Sequence, residues 1–182
     1  MDRFEDVSCM SRRCVFKLID SPVGALQLVA SDHALVAVVW ADEDPKRVPL
    51  ELAREASSHP ILVEAARQLR EYFGGQRRAF TVPLELRGTR FQERVWGALL
   101  TIPFGETRSY RQIAQQIGAP RAVRAVGAAN GKNPISIIAP CHRMVGSTGR
   151  LTGFAGGLEA KAWLLELEGV QRQLWPGSGA PD

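Results

Sequence analysis

The hydrophobic pattern of this chain changes its period near residue 87, from the alternation of β-strands to the three- and four-residue spacing of helices. Before that point, residues 15–20, 25–31 and 35–40 are β-rich runs separated by the turn-forming sequences SPVG and SDH. These runs predict a small antiparallel sheet. After a polar, proline-containing link (ADEDPKRVP), apolar residues at helical spacing over 63–73 predict a helix packed on the sheet.

A short strand-like sequence, AFTVPLEL, completes the first half, and the helical pattern begins at Thr89. Thr89 with Gln92, and again Ser109 with Gln112, have the spacing of a capping box, in which side chains satisfy the first backbone donors of a helix. The second box opens the sequence SYRQIAQQI, and we expect the next helix to run from residue 120 to residue 130.

Two helices joined by a turn containing Gly118 predict a helix-turn-helix, although short helical hairpins also occur as ordinary core elements. The second helix carries Arg121 and Arg124 beside small residues that include Ala125 and Ala129. Small side chains allow a large partner to approach the backbone, and DNA is one such partner. We therefore expect these four residues to bind DNA.

The composition is that of an ordinary globular protein, with 182 residues of which 45% are hydrophobic. The change of period and of charge predicts two domains, 1–87 and 88–182. The longest apolar run, residues 34–41, is far shorter than the roughly 20 residues that cross a bilayer, and the acidic start differs from a signal peptide. We expect a cytoplasmic protein with no membrane partner.

Charge is unevenly distributed along the chain. The formal net charge is +4, but residues 87–150 contain nine Arg and one Lys against Glu93 and Glu106, a net charge of +8. A basic segment in an otherwise acidic chain indicates a face that binds a polyanion such as DNA. A solvated basic surface is the alternative.

The three cysteines, Cys9, Cys14 and Cys141, form an odd number without disulfide spacing, so we expect reduced thiols. Cys9 and Cys14 with His33 could belong to a zinc site, but no fourth ligand has a suitable spacing. The prediction is therefore that the protein holds no metal.

An apolar, strand-like run, ISIIA, leads into the sequence PCHR at residues 140–143. Neighbouring His and Arg side chains can give a thiol the thiolate character that a nucleophile needs. Adjacent residues on an extended strand point to opposite sides, so contact between Cys141 and His142 requires a turn, for which Pro140 is suited, or a bridging water. A buried cysteine at the end of a core strand is the alternative.

Three longer stretches of the sequence favour a reactive Cys141 over a buried core cysteine. FQERVWGALLTIPFGETRSYRQIAQQIG, RAVRAVGAANGKNPISIIAPCHRMVG and TGFAGGLEAKAWLLELEG resemble the methylated-DNA–protein-cysteine methyltransferases, or O6-alkylguanine-DNA alkyltransferases, almost continuously over residues 89–169. The first half matches less closely, chiefly through DSPVGALQL. The resemblance implies an α/β fold of the short, stand-alone form. Its N-terminal domain would be a ribonuclease-H-like antiparallel sheet with a helix, and its C-terminal domain mostly helical.

The resemblance also implies catalytic roles. Cys141 would accept the alkyl group, and His142 would take the thiol proton through a water. Glu168 would orient His142, unless it is only a solvated acid at a helix end, and Asn133 would hold the turn that places the cysteine.

Tyr110 would contact the target nucleotide, unless it is a core residue, and Arg124 would fill the space left by the rotated base. Backbone groups around Met144 and Ala155 would read the guanine. Phe154 occupies a position where relatives often have tyrosine, and Ser136 replaces a proline of some members, so the substrate pocket is expected to differ there.

The implied function is direct DNA repair, in which one protein irreversibly removes one alkyl group from O6-alkylguanine, and also from O4-alkylthymine, without a cofactor. The partner would be double-stranded DNA with alkylated bases. The protein would be a monomer in solution, and it would bind along the DNA with or without cooperativity between copies. Two alternatives are a non-catalytic helix-turn-helix protein that marks alkylated bases, which the presence of Cys141 disfavours, and a thiol hydrolase.

Overall fold

The computed structural model describes residues 14–170, with the backbone only at Leu52 and Ala53. The first half forms a four-stranded sheet of order β3-β2-β1-β4, with one helix packed on it. The elements are β1 (Cys14–Ile19), β2 (Leu26–Ala30), β3 (Leu35–Trp40), β4 (Leu52–Glu55) and α1 (Pro60–Phe73).

The predicted antiparallel meander is correct, because β1 pairs with β2 and β2 with β3 in antiparallel register. The prediction missed β4, which lies at the end of the polar link and runs parallel to β1. Its sequence, LARE, has no run of β-branched residues. Pairing with the exposed edge of β1 therefore decides the conformation of this segment.

Helix α1 begins at Pro60, three residues before the predicted start, because proline at the first helical position has a suitable φ and needs no backbone donor. Its buried face packs on the sheet as predicted. The expected strand AFTVPLEL is wrong, since that segment forms only an isolated bridge between Leu84 and Leu35. Pro83 has no N–H with which to extend a ladder.

The second half is mainly helical, as predicted, and both capping boxes are present. A two-stranded parallel pair joins the start of the helix-turn-helix to the segment after Cys141. The elements are α2 (Arg90–Leu99), β5 (Arg108–Ser109), α3 (Tyr110–Gln116), α4 (Val123–Gly131), β6 (Met144–Val145) and α5 (Gly157–Leu167).

Helices α3 and α4 form the expected helix-turn-helix around a core that includes Val95, Ile113 and Val126. Helix α4 begins at Val123 rather than at residue 120. Residues 119–122 instead close a turn, in which Ala122 N donates to Ala119 O at 2.9 Å. The turn leaves Arg121 outside the helix.

The apolar run at residues 135–139 is buried as expected, but it is not a strand. Ile135 bridges to Val38 of β3, and Ile137 then adopts a positive φ of 72°, which ends any extended pairing. These isoleucines and α5 contribute to the core under the first sheet. The two halves of the chain therefore share one core at the place where Cys141 follows.

None of the helices within residues 14–170 combines the length and the apolar character that crossing a membrane requires.

Candidate active site

Cys141 lies in a single 3₁₀ turn, Cys141–Arg143, directly after the buried residues 135–140. Its side chain is buried, with 3% of the residue exposed. Asn133 braces the approach to this turn, since its Nδ2 donates to Ala139 O at 2.8 Å and its Oδ1 accepts from Ile135 N at 3.1 Å. The predicted turn at the cysteine is confirmed, and one amide side chain holds the loop that leads into it.

The Glu168 carboxylate, at the end of α5, is buried and accepts hydrogen bonds at both oxygens, so it is not a solvated acid. Oε1 accepts from Tyr72 Oη at 2.7 Å, His142 Nε2 at 3.0 Å and Arg143 Nη2 at 2.8 Å. Oε2 accepts from Arg143 Nε at 2.8 Å and Gly105 N at 3.2 Å. Burial raises its pKa, but the hydrogen bonds from His142 and Arg143 outweigh burial and lower that pKa to about 2.

Gly105 can approach Glu168 only because it lacks a side chain. Its φ is +78°, and a Cβ at this position would lie 2.9 Å from the Glu168 backbone oxygen. The glycine thus completes the set of donors around the carboxylate.

This carboxylate determines the tautomer of His142. An ionised carboxylate only accepts hydrogen bonds, so Nε2 of His142 carries the hydrogen. Nδ1 is buried and has no hydrogen-bond partner among the described residues. Burial lowers the pKa of His142, more than Glu168 raises it, so the ring is neutral at physiological pH. The ring offers a bare lone pair for a proton.

The effect of burial on the pKa is opposite at Cys141, because burial raises the pKa of the thiol. The Asn133 side chain, the charges of Arg47 and Lys161, and the Ser136 hydroxyl favour the thiolate but do not outweigh burial. The resting protein therefore holds a protonated thiol. Nucleophilic attack requires a base, and the neutral ring next to it in the chain has the correct protonation state.

Three residues at this site were missed in the sequence, because no motif marks them and their contacts span long separations. Arg47 Nη1 donates to the Gly131 carbonyl at 3.2 Å and to the Asn133 carbonyl at 2.9 Å. Tyr72 reaches Glu168 from α1. Lys161 is fully buried, and its Nζ donates to the carbonyls of Met144 and Thr152, at 2.8 Å for Thr152.

The predicted substrate residues lie in segments that adjoin this site. Met144 is buried, and the Phe154 ring lies edge-on to Trp40 of β3 at 5.2 Å and to His142 at 6.3 Å between ring centroids. Ala155 is exposed. Ser136 is fully buried. Phe154 therefore shields one side of the imidazole from solvent.

The predicted DNA-binding residues differ in their exposure to solvent. Arg121, Arg124 and Ala125 are exposed. Tyr110 is half-buried rather than a full core residue, and its hydroxyl is 2.8 Å from Thr152 Oγ1. Ala129 departs from the prediction of a DNA contact, because it packs in the core of the helical half with 4% of its surface exposed.

The small residues of α4 also serve packing inside the protein. A Cβ on Gly127 would lie 3.8 Å from the Tyr110 ring, so the ring rests directly on the helix. In residues 14–170 no group of three His, Cys, Asp or Glu side chains could hold a metal ion. Cys9 lies outside the described residues.

Comparisons with known proteins agree with this arrangement. The family model for the DNA-binding domain of 6-O-methylguanine DNA methyltransferase matches residues 90–170, and the model for the ribonuclease-like domain of the same protein matches residues 14–86. The methylated-DNA–protein-cysteine methyltransferase of Mycobacterium tuberculosis H37Rv is 51% identical over 155 residues, which cover 84% of this chain and 91% of that protein. The corresponding protein of Mycolicibacterium paratuberculosis is 48% identical over the same length and coverage.

A crystal structure of M. tuberculosis OGT in complex with DNA matches with a TM-score of 0.77 and 47% identity, covering 89% of this chain and 95% of that one. A crystal structure of M. tuberculosis O6-methylguanine methyltransferase matches with a TM-score of 0.76 and 49% identity, covering 85% and 92%. The resemblance in the sequence and the predicted fold class are thereby confirmed: this chain belongs to the methylated-DNA–protein-cysteine methyltransferase family.

Proposed function

We propose that this protein repairs DNA by transferring the alkyl group of O6-alkylguanine irreversibly to the sulfur of Cys141. The observation that carries the proposal is the neutral His142 ring, which follows the buried Cys141 in the same turn. Glu168 holds this ring with Nε2 protonated, and Nδ1 has no hydrogen-bond partner among the described residues. A base of this kind is what a thiol whose pKa is raised by burial requires. The family to which the chain belongs carries the same activity in its name.

The reaction balances with these groups alone. Nδ1 of His142 takes the thiol proton through a water, and the thiolate attacks the alkyl carbon. The carbon–sulfur bond forms as the carbon–O6 bond breaks, and the electron pair of the broken bond stays on the guanine. The proton held by His142 returns to the base, which leaves as unmodified guanine. The thioether has no good leaving group, so each protein acts once.

Recognition of the base requires that it leave the duplex, at a cost of a few kcal/mol. We assign Arg124, exposed on α4, to the space that the base vacates, and Tyr110 to the rotated nucleotide. Arg121 and Ala125 are also exposed in the helix-turn-helix and would contact the DNA backbone. Met144 and Ala155 would read the guanine through their backbone groups.

The proposal also includes the binding partner, the cell compartment, the domain boundary and the absence of a cofactor. The partner is duplex DNA with alkylated bases, including O4-alkylthymine, bound by a monomer in the cytoplasm. The domain boundary lies at residues 87 and 88, in the link between Leu84 and the start of α2 at Arg90. No cofactor takes part in the transfer.

The test is to incubate the protein with excess duplex DNA that contains O6-methylguanine and to digest it for mass spectrometry. We expect one methyl group per protein, on the Cys141 peptide, and no further product. Repeated turnover would instead indicate a thiol hydrolase. Binding without a methylated peptide would indicate a protein that only marks the lesion.

The role of Arg124 is tested by comparing two substrates. Arg124→Ala should slow repair of duplex DNA by about tenfold or more, because each 1.4 kcal/mol of lost support for the flipped state is a tenfold change in rate. Transfer from free O6-benzylguanine should be nearly unchanged, since no base must be unstacked. A parallel drop in both rates would show that Arg124 supports the folded site instead.

A further inference from the structure

Among the described residues that hydrogen-bond the Glu168 side chain, Tyr72 is the one that belongs to α1. Through this bond α1 reaches the candidate active site. It is fully buried, and the rings of Phe73, Phe80 and Phe104 surround it with centroid distances of 5.6, 5.4 and 6.2 Å. Burial and the charge of Glu168 both raise the pKa of its hydroxyl. Tyr72 therefore stays protonated and remains a hydrogen-bond donor.

The acceptor of that hydrogen bond is the oxygen that also holds His142. Oε1 of Glu168 accepts from Tyr72 at 2.7 Å, from Arg143 Nη2 at 2.8 Å and from His142 Nε2 at 3.0 Å. Hydrogen bonds to an ionised group stabilise its charge, so donors on one oxygen compete for the same electron density. The Tyr72 bond is the shortest of the three and the bond to His142 the longest.

We propose that Tyr72 is a positioning residue of the alkyl-transfer site, which binds Oε1 of Glu168 and so limits the negative charge that Glu168 presents to His142. The hydroxyl neither moves a proton nor touches a substrate, and it acts only through the carboxylate. The N-terminal half of the chain thereby takes part in setting the basicity of the ring. The consequence for repair rests on the proposed function, but the effect on the ring does not.

The other groups that act on His142 lie in the second half of the chain. Glu168 favours the protonated ring, whereas the charges of Arg143 and Lys161 oppose it, and the thiol of Cys141 adjoins it in the same turn. Helix α1 contributes an uncharged hydroxyl to this cluster. Removal of that hydroxyl alters the shared oxygen and leaves every formal charge around the ring in place.

The direct test is nuclear magnetic resonance of the histidine rings in the whole protein with Tyr72→Phe, which keeps the aromatic packing. The chain has three histidines, so His33 and His59 serve as internal references in the same spectra. We expect the Nε2-bound proton of His142 to move downfield and its titration midpoint to rise by about half a pH unit, because a neutral donor to a charged group is lost.

A matched control is Gln68→Leu, one helical turn before Tyr72. Gln68 is also buried, and its side chain bonds Thr81, with Nε2 donating to Oγ1 at 2.9 Å, and not Glu168. This variant should lower the thermal midpoint and leave the His142 signals unchanged. If Tyr72→Phe behaves like this control, with a stability change and unmoved His142 signals, the proposal is overturned.

Two further variants test whether the effect of Tyr72 on His142 passes through Oε1 of Glu168, which both residues bond. Fluorotyrosine at position 72, a stronger donor of the same shape, should move the His142 proton upfield, opposite to phenylalanine. In a Glu168→Gln background, Tyr72→Phe should no longer move the His142 signals, because the ionised oxygen is gone. A shift that survives in that background would contradict the proposal. None of these results depends on whether Cys141 accepts an alkyl group, which the methylation experiment tests separately.

Discussion

The protein contains two buried thiols in its described residues, and they differ in what surrounds them. Cys14 and Cys141 are 2% and 3% exposed. Sγ of Cys14 accepts a hydrogen bond from Arg87 Nη1 at 3.2 Å, and a guanidinium cannot take a proton from a thiol. Cys141 is followed by a neutral imidazole with a bare Nδ1. Burial is common to both thiols, and Cys141 has a neutral imidazole next to it in the chain.

Space for a small molecule is present beside Cys14. A cavity of about 260 Å³, lined by Cys14, Val36, Val48, Leu50 and Pro134 among others, borders the first thiol. Space beside a buried thiol therefore does not by itself mark an alkyl acceptor, and the proposal of Cys141 rests on the acid–base groups around its sulfur.

The largest effect is expected from the carboxylate that bonds His142, with the carboxylate near Cys14 as the control. Glu168→Gln should slow methyl transfer from O6-methylguanine in duplex DNA by roughly a thousandfold, because the positioned base loses the group that orients it. The matched change, Glu85→Gln, alters the carboxylate that bonds Arg87 beside Cys14, through Arg87 Nε at 3.0 Å, and should leave the rate within about twofold. Equal losses would remove the distinction between the sites.

Acid should destabilise the protein through the Cys141 site. The pKa of Glu168 is lowered from 4.5 to about 2 in the folded protein, so its ionisation stabilises the fold above pH 4.5. That contribution is lost as the pH falls through about 2, and its size is about 3 kcal/mol of unfolding free energy.

Urea unfolding at several pH values between 7 and 2 measures this contribution. Glu168→Gln should be less stable than the wild type at neutral pH, because Arg143 loses its buried partner. Its unfolding free energy should fall less than that of the wild type between pH 4.5 and pH 2. A fall of the same size in both proteins would show that Glu168 is not the acid-sensitive group.

A smaller effect should distinguish the two guanidinium groups. Arg47→Ala removes the donors to the Gly131 and Asn133 carbonyls and a charge that favours the Cys141 thiolate. We expect about a tenfold slower transfer, in line with the loss of one or two charged hydrogen bonds. Arg87→Ala, beside Cys14, should change the rate little. The two rates under one set of conditions decide whether Arg47 supports the active turn.

The sequence predicted the elements whose determinants are local. Both capping boxes are confirmed, because a side chain three residues away satisfies the backbone donors at each helix start. The same holds for the β1, β2 and β3 meander, where alternation and turn residues agree. The residues of the PCHR motif and Glu168 do lie together, and the family resemblance was needed to pair them across 26 positions.

The failures have a common physical cause, which is control by distant contacts. The run at residues 135–139 has the composition of a strand, but Asn133 and the bridge to Val38 fold it into turns. Strand β4 forms because β1 offers an open edge. Tyr72 and Arg47 were missed because they lie 96 and 86 positions from the groups they bond, Glu168 and Asn133.

The most direct measurement of the central claim uses the two serine variants, Cys14→Ser and Cys141→Ser, with duplex DNA that contains O6-methylguanine. A hydroxyl is far less ionised than a thiol at neutral pH, so serine removes the nucleophile at each site with little change in volume. We expect Cys14→Ser to accept one methyl group per protein at a rate close to that of the wild type. Cys141→Ser should accept none and should still bind the DNA. Methyl transfer that persists in Cys141→Ser, or that disappears in Cys14→Ser, would contradict the assignment of Cys141 as the alkyl acceptor.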